Sequence, residues 1–340
     1  MSSKLTSAAL LAASCLLAGP AFADCKPLSI VASVDLAPTA DIRPFVPVTF
    51  GDTRKTMLVD TGGTLTEMLP SVADALGLKP GHGADAHSVR WRTYEAANIV
   101  HDAPTVLVHA SMKLGNLVAR NMEFRVTSDD DLPADDATVA GLIAPDVLGN
   151  YDVEMDFGAR KLNLLSQDHC EGKVVYWNAD AVAIVPFEKM PTGHIQFPVQ
   201  LDGKAVVADL DTGARATTLT RGVASRDFSV EVGDAATPAA GNPPQYRHVF
   251  KTLDIGGVVI ANPGLLIVPD VTRNMRAKAG APPLGTRLSD KRIDETDQAL
   301  RIGMDILRHL HVYIAYAEKK IYITAGSPSP APANAPHPAS

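Results

Sequence analysis

The residues best suited to chemistry in this chain are two aspartates that occupy the same short motif. The sequence reads Asp-Thr-Gly at residues 60–62 and again at residues 211–213. Two carboxyl groups held within about 3 Å of each other cannot both ionise, so they share one proton. One can then take a proton from water while the other protonates a carbonyl oxygen, which is what amide hydrolysis needs without a metal or covalent nucleophile. The motifs therefore predict an acid–base pair, provided that the fold brings them together.

Each motif directly follows the second strand of a predicted β-hairpin. In the first half, Phe45–Phe50 alternates apolar and polar residues, a Gly-Asp turn follows, and residues 57–59 are apolar. In the second half, Ile195–Leu201 and residues 205–207 flank an Asp-Gly pair at 202–203. An Asp-Gly pair between alternating segments is a strong hairpin signal. Each aspartate is therefore expected where a strand ends and the chain leaves a sheet.

Three further features recur in the same order after each motif. They are a Gly-centred hairpin, an apolar segment that contains Asp-x-Leu, and a final pair of strands. The hairpins are 114–118 with 122–126 and 255–259 with 264–268, the apolar segments are 141–148 and 301–307, and the final strands are 151–156 with 161–164 and 312–316 with 320–323. This nearly constant spacing predicts two copies of one β domain, and the 25 Gly and 25 Pro agree with a turn-rich fold.

The whole series resembles the pepsin–retropepsin aspartic proteases, over residues 40–166 and 190–325. The likeness is closer to the retropepsin-like domains of bacterial proteins, here two in tandem. The resemblance implies a mostly β fold in which two closed, barrel-like lobes, related by a pseudo-twofold axis, meet at a cleft. It also implies an aspartic endopeptidase, acting on an extended peptide or protein substrate, whose catalytic dyad is Asp60 and Asp211. The residues that it assigns to support of the catalytic loops are Thr61, Gly62, Thr212 and Gly213.

Two departures from the family pattern bear on the dyad. Residues 143–146 read Ile-Ala-Pro-Asp, where the family usually has a Leu-Gly pair before x-Asp. Pro145 lacks a backbone donor, so the packing behind Asp60 is expected to differ. Gly63 and Ala214 follow the two motifs, and neither supplies a hydroxyl to its carboxylate. One hydrogen bond fewer to the ionised form predicts a raised dyad pKa and activity in weaker acid.

Three segments are candidates to cover the substrate or gate its access. In the first lobe, 81–100 contains Trp91 and Tyr94, which could serve as a flap or equally belong to the core. In the second lobe, 235–246 has the corresponding place in the repeat. Residues 273–298 form an insertion-like loop with six basic residues, for which a solvated loop and a gating or partner-binding loop both remain open.

The N-terminal segment indicates export, and the cysteines agree with it. Residues 1–23 have the layout of a secretory signal peptide with cleavage after Ala23, and Cys15 is preceded by a poor lipobox. The expected location is the periplasm. Cleavage leaves Cys25 and Cys170, which most simply form one disulfide in an oxidising compartment, the alternative being two buried thiols. We place the first lobe at 24–172, the second at 173–325, and a disordered Pro/Ala/Ser tail at 326–340.

The length, composition, net charge and motif content of the chain restrict the classes of function that it can have. The chain has 340 residues, which suits two domains, and 46% of them are apolar, which argues against disorder. A net charge of −7 gives no electrostatic footprint for nucleic acid or for an anionic membrane surface. The sequence lacks metal-ligand, nucleophile-elbow and nucleotide-binding motifs, so no metal or cofactor is expected. Two alternatives remain: a catalytically inactive peptide-binding protein, and a dimer, rather than a monomer, whose lobes pair between chains.

Overall fold

The computed structural model describes residues 25–79, 106–126, 132, 136–231, 246–270 and 299–326. Within these residues the protein is mostly β, with four short helices. The elements of the first half are β1 (Ile30–Asp35), β2 (Phe45–Phe50), β3 (Thr53–Val59), β4 (Glu67–Met68), α1 (Pro70–Ala75), β5 (Val106–Leu114), β6 (Leu117–Val126), β7 (Val139–Ile143), α2 (Pro145–Leu148), β8 (Asp152–Asp156) and β9 (Lys161–Leu165).

The elements of the second half repeat this order. They are β10 (Ala183–Pro186), β11 (Glu188–Lys189), β12 (Ile195–Leu201), β13 (Lys204–Leu210), β14 (Thr218–Thr220), α3 (Arg221–Phe228), β15 (Tyr246–Val249), β16 (Thr252–Ile255), β17 (Val258–Ala261), β18 (Gly264–Val268), β19 (Leu300–Ile302), α4 (Met304–Leu307), β20 (Leu310–Ala315) and β21 (Lys320–Ala325).

Both predicted hairpins are present, and each ends at an Asp-Thr-Gly motif. β2 pairs antiparallel with β3, and β12 with β13. Asp202 and Gly203 both have positive φ, 48° and 76°, as a two-residue hairpin turn of the tightest type requires. Inward-facing side chains such as Val46, Met57 and Leu210 are buried, so the alternation seen in the sequence is the alternation between barrel interior and exterior.

The first lobe is a closed six-stranded barrel in the order β2-β3-β7-β4-β6-β5. Closure is made where β2 meets β5, with Thr49 opposite Lys113. Asp60 directly follows β3, which pairs antiparallel with β2 on one side and parallel with β7 on the other. The barrel therefore fixes the direction in which the first Asp-Thr-Gly loop leaves the sheet.

The second lobe uses the same strand pairings, but its sheet is interrupted. Its order is β15-β18-β14-β19-β13-β12-β16-β17, with β11 added beside β12. The long hairpin β5–β6 of the first lobe corresponds to four shorter strands here, with β15 paired to β18 and β16 to β17. The breaks fall at Phe250–Lys251 and at Asn262–Pro263, where Asn262 has φ 50° and proline offers no ladder donor. The second lobe is therefore an open sheet with the strand pairings that close into a barrel in the first lobe.

A six-stranded sheet shared by both halves joins the two lobes, in the order β1-β9-β8-β20-β21-β10. Its centre is the antiparallel pair β8–β20, in which Met155 lies opposite Val312. Each half contributes three strands in mirrored order, which expresses the pseudo-twofold relation. The predicted fold class, mostly β with two related lobes, is confirmed.

The disulfide between Cys25 and Cys170 is confirmed, with Cα atoms 4.8 Å apart. It ties the segment before β1 to the segment after β9, beside a backbone hydrogen bond from Cys170 N to Lys26 O of 3.1 Å. The lobe boundaries at 172 and 325 stay predictions. The signal peptide, Trp91, Tyr94, the loop 273–298 and almost all of 235–246 and 326–340 lie outside the described residues. None of the helices in the described part of the chain has the length and apolar character needed to cross a membrane.

Candidate active site

The two Asp-Thr-Gly loops meet between the lobes. Each aspartate is anchored to its own barrel in the same way: Asp60 N donates to Ile143 O at 2.9 Å, and Asp211 N donates to Ile302 O at 3.0 Å. These carbonyls belong to β7 and β19, the parallel neighbours of the strands that carry the motifs. The barrels therefore present both loops at corresponding positions.

The two threonines interlock the loops across the interface. Thr61 Oγ1 donates to Leu210 O at 2.8 Å, and Thr212 Oγ1 donates to Val59 O at 2.6 Å. Each hydroxyl also accepts the other threonine's backbone N–H at 3.1 Å. Both side chains are buried. Four hydrogen bonds thus hold the carboxyl-bearing loops in one fixed relation.

The glycines after the threonines let the opposite carboxyl group approach the backbone. A Cβ atom on Gly62 would overlap the carboxyl group of Asp211, and a Cβ atom on Gly213 would overlap that of Asp60. Neither position therefore tolerates a side chain without displacing a carboxyl group. The structure brings together all six residues that the sequence assigned to the dyad and its loops.

The two carboxyl groups accept equivalent hydrogen bonds from the backbone. Asp60 Oδ1 accepts the N–H groups of Gly62 at 2.8 Å and Gly63 at 3.0 Å. Asp211 Oδ1 accepts those of Gly213 at 2.8 Å and Ala214 at 2.9 Å. These backbone hydrogen bonds therefore do not distinguish the two aspartates.

Burial, followed by the negative charge of Asp211, raises the pKa of Asp60 to about 7. The backbone hydrogen bonds from Gly62 and Gly63 act in the opposite direction but are outweighed. The direction agrees with the sequence-based expectation, although burial and the second carboxylate, rather than a missing hydroxyl, are its main causes. A proton is therefore held at this pair throughout the acidic range.

Behind each loop lies a matching threonine–aspartate contact. Thr66 Oγ1 donates to Asp146 Oδ1 at 2.7 Å, and Thr217 Oγ1 donates to Asp305 Oδ1 at 2.6 Å. These aspartates belong to the Asp-x-Leu segments seen in the repeat, at the start of α2 and α4. The two networks therefore support the loops from equivalent positions.

Pro145 removes one hydrogen bond behind Asp60. Its counterpart Met304 donates its N–H to Ala214 O at 2.8 Å, and proline cannot make this bond. Pro145 instead occupies the first turn of α2, where proline is readily accommodated. The hydrogen bond from Ala144 N to Thr66 Oγ1 is kept and matches that from Gly303 N to Thr217 Oγ1, both at 3.1 Å.

A cation that the sequence reasoning did not single out lies against the dyad. Arg301 is the middle residue of β19, and its Nε atom is 3.2 Å from Asp211 Oδ2. Beside it is Asp209, which is buried on β13 and lies opposite Arg301 in the strand register. Burial raises the pKa of Asp209 to about 7, although the Arg301 charge opposes this. A comparison of the two repeats could have revealed both residues, because Leu58 and Leu142 occupy the corresponding positions.

His194 is a second residue that the sequence reasoning missed. It precedes β12 and is partly buried next to the dyad. Burial lowers its pKa, although the charge of Asp211 and the backbone of Gly63 and Gly62 oppose this. His194 is therefore uncharged at neutral pH.

The corresponding segment of the first lobe carries Arg43, which crosses to the second lobe. Its Nη1 atom donates to Gly213 O at 3.3 Å. Asp41 Oδ2 accepts from Arg43 at 2.7 Å and from Arg215, on the second lobe, at 2.8 Å. Burial opposes ionisation of Asp41, but hydrogen bonds and charge from Arg43 lower its pKa to about 2. This ion pair links the lobes beside the dyad while leaving Asp211 Oδ2 to Arg301.

In the described part of the chain, His, Cys, Asp and Glu side chains form no group of three or more that could hold a metal. The site as built is a pair of carboxyl groups with a neighbouring guanidinium. Its chemistry is that of proton transfer.

One comparison with known proteins, a match to a family model, agrees with the family suggested by the motifs. The family model described as "Aspartyl protease" matches residues 46–146, which run from β2 to α2 and include the first motif. Among solved structures, an aspartic proteinase from Irpex lacteus aligns with 14% sequence identity and a TM-score of 0.46, over 89% of this chain and 99% of that one. No curated protein matches the chain.

Proposed function

We propose that this protein hydrolyses peptide bonds with a water molecule activated by Asp60 and Asp211. Its residues 46–146 match the family model described as "Aspartyl protease". The observation that carries the proposal is the interlock of the two Asp-Thr-Gly loops, which fixes two carboxyl groups against each other's backbone. An ordinary turn aspartate needs no such partner. Because both loops belong to one chain, a monomer suffices for a complete site, which favours this arrangement over pairing between chains.

In the proposed reaction, the ionised carboxyl group takes a proton from water as the water oxygen attacks the peptide carbonyl carbon. The protonated carboxyl group gives its proton to the carbonyl oxygen, which yields a neutral gem-diol. The newly acquired proton then passes to the amide nitrogen while a gem-diol hydroxyl returns a proton to the other carboxylate. The C–N bond breaks, and the products are an acid and an amine. The pair ends with one proton, as it began.

The substrate would lie extended in the cleft between the lobes, where an exposed peptide backbone can pair with strand-like edges. The disulfide supports export, because such bonds persist in oxidising compartments. We therefore propose that the signal peptide directs the chain to the periplasm and that the mature protein acts there on peptide or protein substrates.

The test is cleavage of an unfolded protein by the mature chain between pH 3 and 7. Asp60→Asn and Asp211→Asn should each lower kcat/KM by about 10²–10⁴-fold, since each removes one proton-transfer group. Asp52→Asn, in the exposed turn between β2 and β3, is the matched control and should cleave normally. Cleavage that survives both active-site changes would refute the mechanism. A folded wild type that binds peptides without cleaving them would establish the peptide-binding alternative instead.

A further inference from the structure

The dyad is symmetric in its backbone and asymmetric in the side chains beside it. Each carboxyl group accepts two N–H groups at 2.8–3.0 Å from its own loop. Among the residues that the structure describes, a guanidinium reaches the carboxyl group only on the second lobe, with Arg301 Nε 3.2 Å from Asp211 Oδ2. An opposite charge at this distance favours the ionised form of a carboxyl group. The two aspartates are therefore not equivalent.

The strand registers show where the asymmetry originates. In the first lobe, Leu58 lies opposite Phe45 on one side and Leu142 on the other. In the second lobe the same three places hold Asp209, Gln196 and Arg301. An apolar trio next to Asp60 is thus replaced by a polar and charged trio next to Asp211. The substitution alters the environment of one carboxyl group and leaves the barrel pairing unchanged.

The other titratable and charged groups around Asp211 do not compensate. Asp209 is uncharged in acid, because burial raises its pKa to about 7, so it does not compete for the guanidinium there. His194 is uncharged at neutral pH, because burial lowers its pKa. Arg43 donates to Asp41 and to the carbonyl of Gly213. A further charged neighbour in the described part of the chain is Asp60, and two adjacent carboxyl groups cannot both ionise at low cost.

We propose that Arg301 is a positioning residue that keeps Asp211 ionised, so that Asp60 carries the proton shared by the pair. Within the proposed hydrolysis, on which this inference rests, Asp211 is then the base that takes a proton from water. Asp60 is the acid that protonates the carbonyl oxygen. Both carboxyl groups return to these states when the gem-diol collapses, because Asp211 releases its proton to the leaving nitrogen and Asp60 regains one from the hydroxyl.

The decisive experiment is a carbon-13 NMR titration of the aspartate carboxyl groups in the mature chain, with signals assigned from Asp60→Asn and Asp211→Asn. Of the two dyad carbons in the wild type, that of Asp60 should show the step near neutral pH, while Asp209, whose pKa burial also raises to about 7, gives a separate signal assigned from Asp209→Asn. In Arg301→Gln the same step should be divided between both carbons, because coupled groups share their proton when nothing distinguishes them. Arg301→Lys, which keeps the positive charge, should restore the wild-type pattern.

The pH–rate profile provides a second readout. Removing the charge of Arg301 should move the acid limb of kcat/KM upward by about one pH unit. Arg226→Gln, on the exposed face of α3, changes the net charge equally and should move nothing. The proposal is overturned if the neutral step belongs to Asp211 in the wild type, or if Arg301→Gln leaves the division of the step unchanged. Since the titration uses the free protein, the expected NMR pattern without any cleavage would refute the proposed hydrolysis and support the proton placement.

Discussion

Replacement of Thr212 by valine tests whether the interlock holds the site together. The change keeps the shape of the side chain and removes one hydroxyl. Val59 O then loses its 2.6 Å donor, and Thr61 N loses its 3.1 Å acceptor. Both groups lie in a buried interface, where a polar group without a partner costs about 1–3 kcal/mol. We therefore expect Thr212→Val to lower the free energy of unfolding by about 2–6 kcal/mol, a large part of the stability of an ordinary domain.

The measurement is the urea-induced unfolding of the mature chain, monitored with two independent spectroscopic probes. Two probes are needed because a two-lobed protein need not unfold in one step. Thr61→Val removes the symmetric pair of bonds, from Leu210 O and Thr212 N, and should cost a similar amount. The double variant should cost less than the sum, since either change already loosens the shared contact. Thr53→Val, exposed at the start of β3, is the control and should change stability by less than about 0.5 kcal/mol. Equal stability of Thr212→Val and the control would refute this account of the interlock.

Three further outcomes follow from contacts described above. Gly62→Ala should abolish cleavage while the chain remains folded, because its Cβ would displace the carboxyl group of Asp211. Folding raises the pKa of Asp209 to about 7, so the folded state binds this proton more tightly than the unfolded state. The resulting stabilisation is fully present below about pH 4 and is lost as the pH rises to 7. Asp209→Asn should therefore be more stable than the wild type at pH 7, by up to about 4 kcal/mol, and equal to it near pH 4. Reduction of the disulfide that joins Cys25 to Cys170 should cost about 5 kcal/mol, since it closes a loop of 145 residues.

Each of these outcomes has its own control. The effect of Gly62→Ala requires circular dichroism to show an unchanged fold. Asp52→Asn, in an exposed turn, should have the stability of the wild type at both pH 4 and pH 7, and a gain at pH 7 similar to that of Asp209→Asn would contradict the burial argument for Asp209. A Cys25→Ser and Cys170→Ser double variant should be insensitive to dithiothreitol, and a reduced wild type as stable as the oxidised one would exclude the predicted loop-closure effect.

The hairpins and the loops were predictable because their signals are local. Alternation in Phe45–Phe50 and the Asp-Gly pair at 202–203 state which residues face inward and where the chain turns. The repetition of these signals then indicated two copies of one domain. The interruption of the second lobe's sheet at Asn262–Pro263 was harder to foresee, because a proline in a strand segment permits an edge, a bulge or a break, and tertiary packing selects among them.

The neighbours of the dyad were missed for a different reason. Arg301 and Asp209 are far apart in the sequence and meet only through the parallel pairing of β13 with β19. His194 lies just before a strand whose apolar pattern drew attention to the residues after it. None of these residues belongs to a recognisable motif. Their signal is comparative, since the first repeat has Leu58 and Leu142 where the second has an acid and a base.

A chain that contains both lobes can place different side chains beside its two dyad carboxyl groups, which two identical subunits cannot do. In a symmetric dimer, every substitution appears on both sides of the axis, so a guanidinium at the place of Arg301 would face each carboxyl group. Both would then be held as anions, and the single proton on which the reaction depends would be lost. A single chain with two unlike lobes has Arg301 beside one carboxyl group and Leu142 at the corresponding place beside the other. On the proposed proton placement, this difference gives the two acids separate roles.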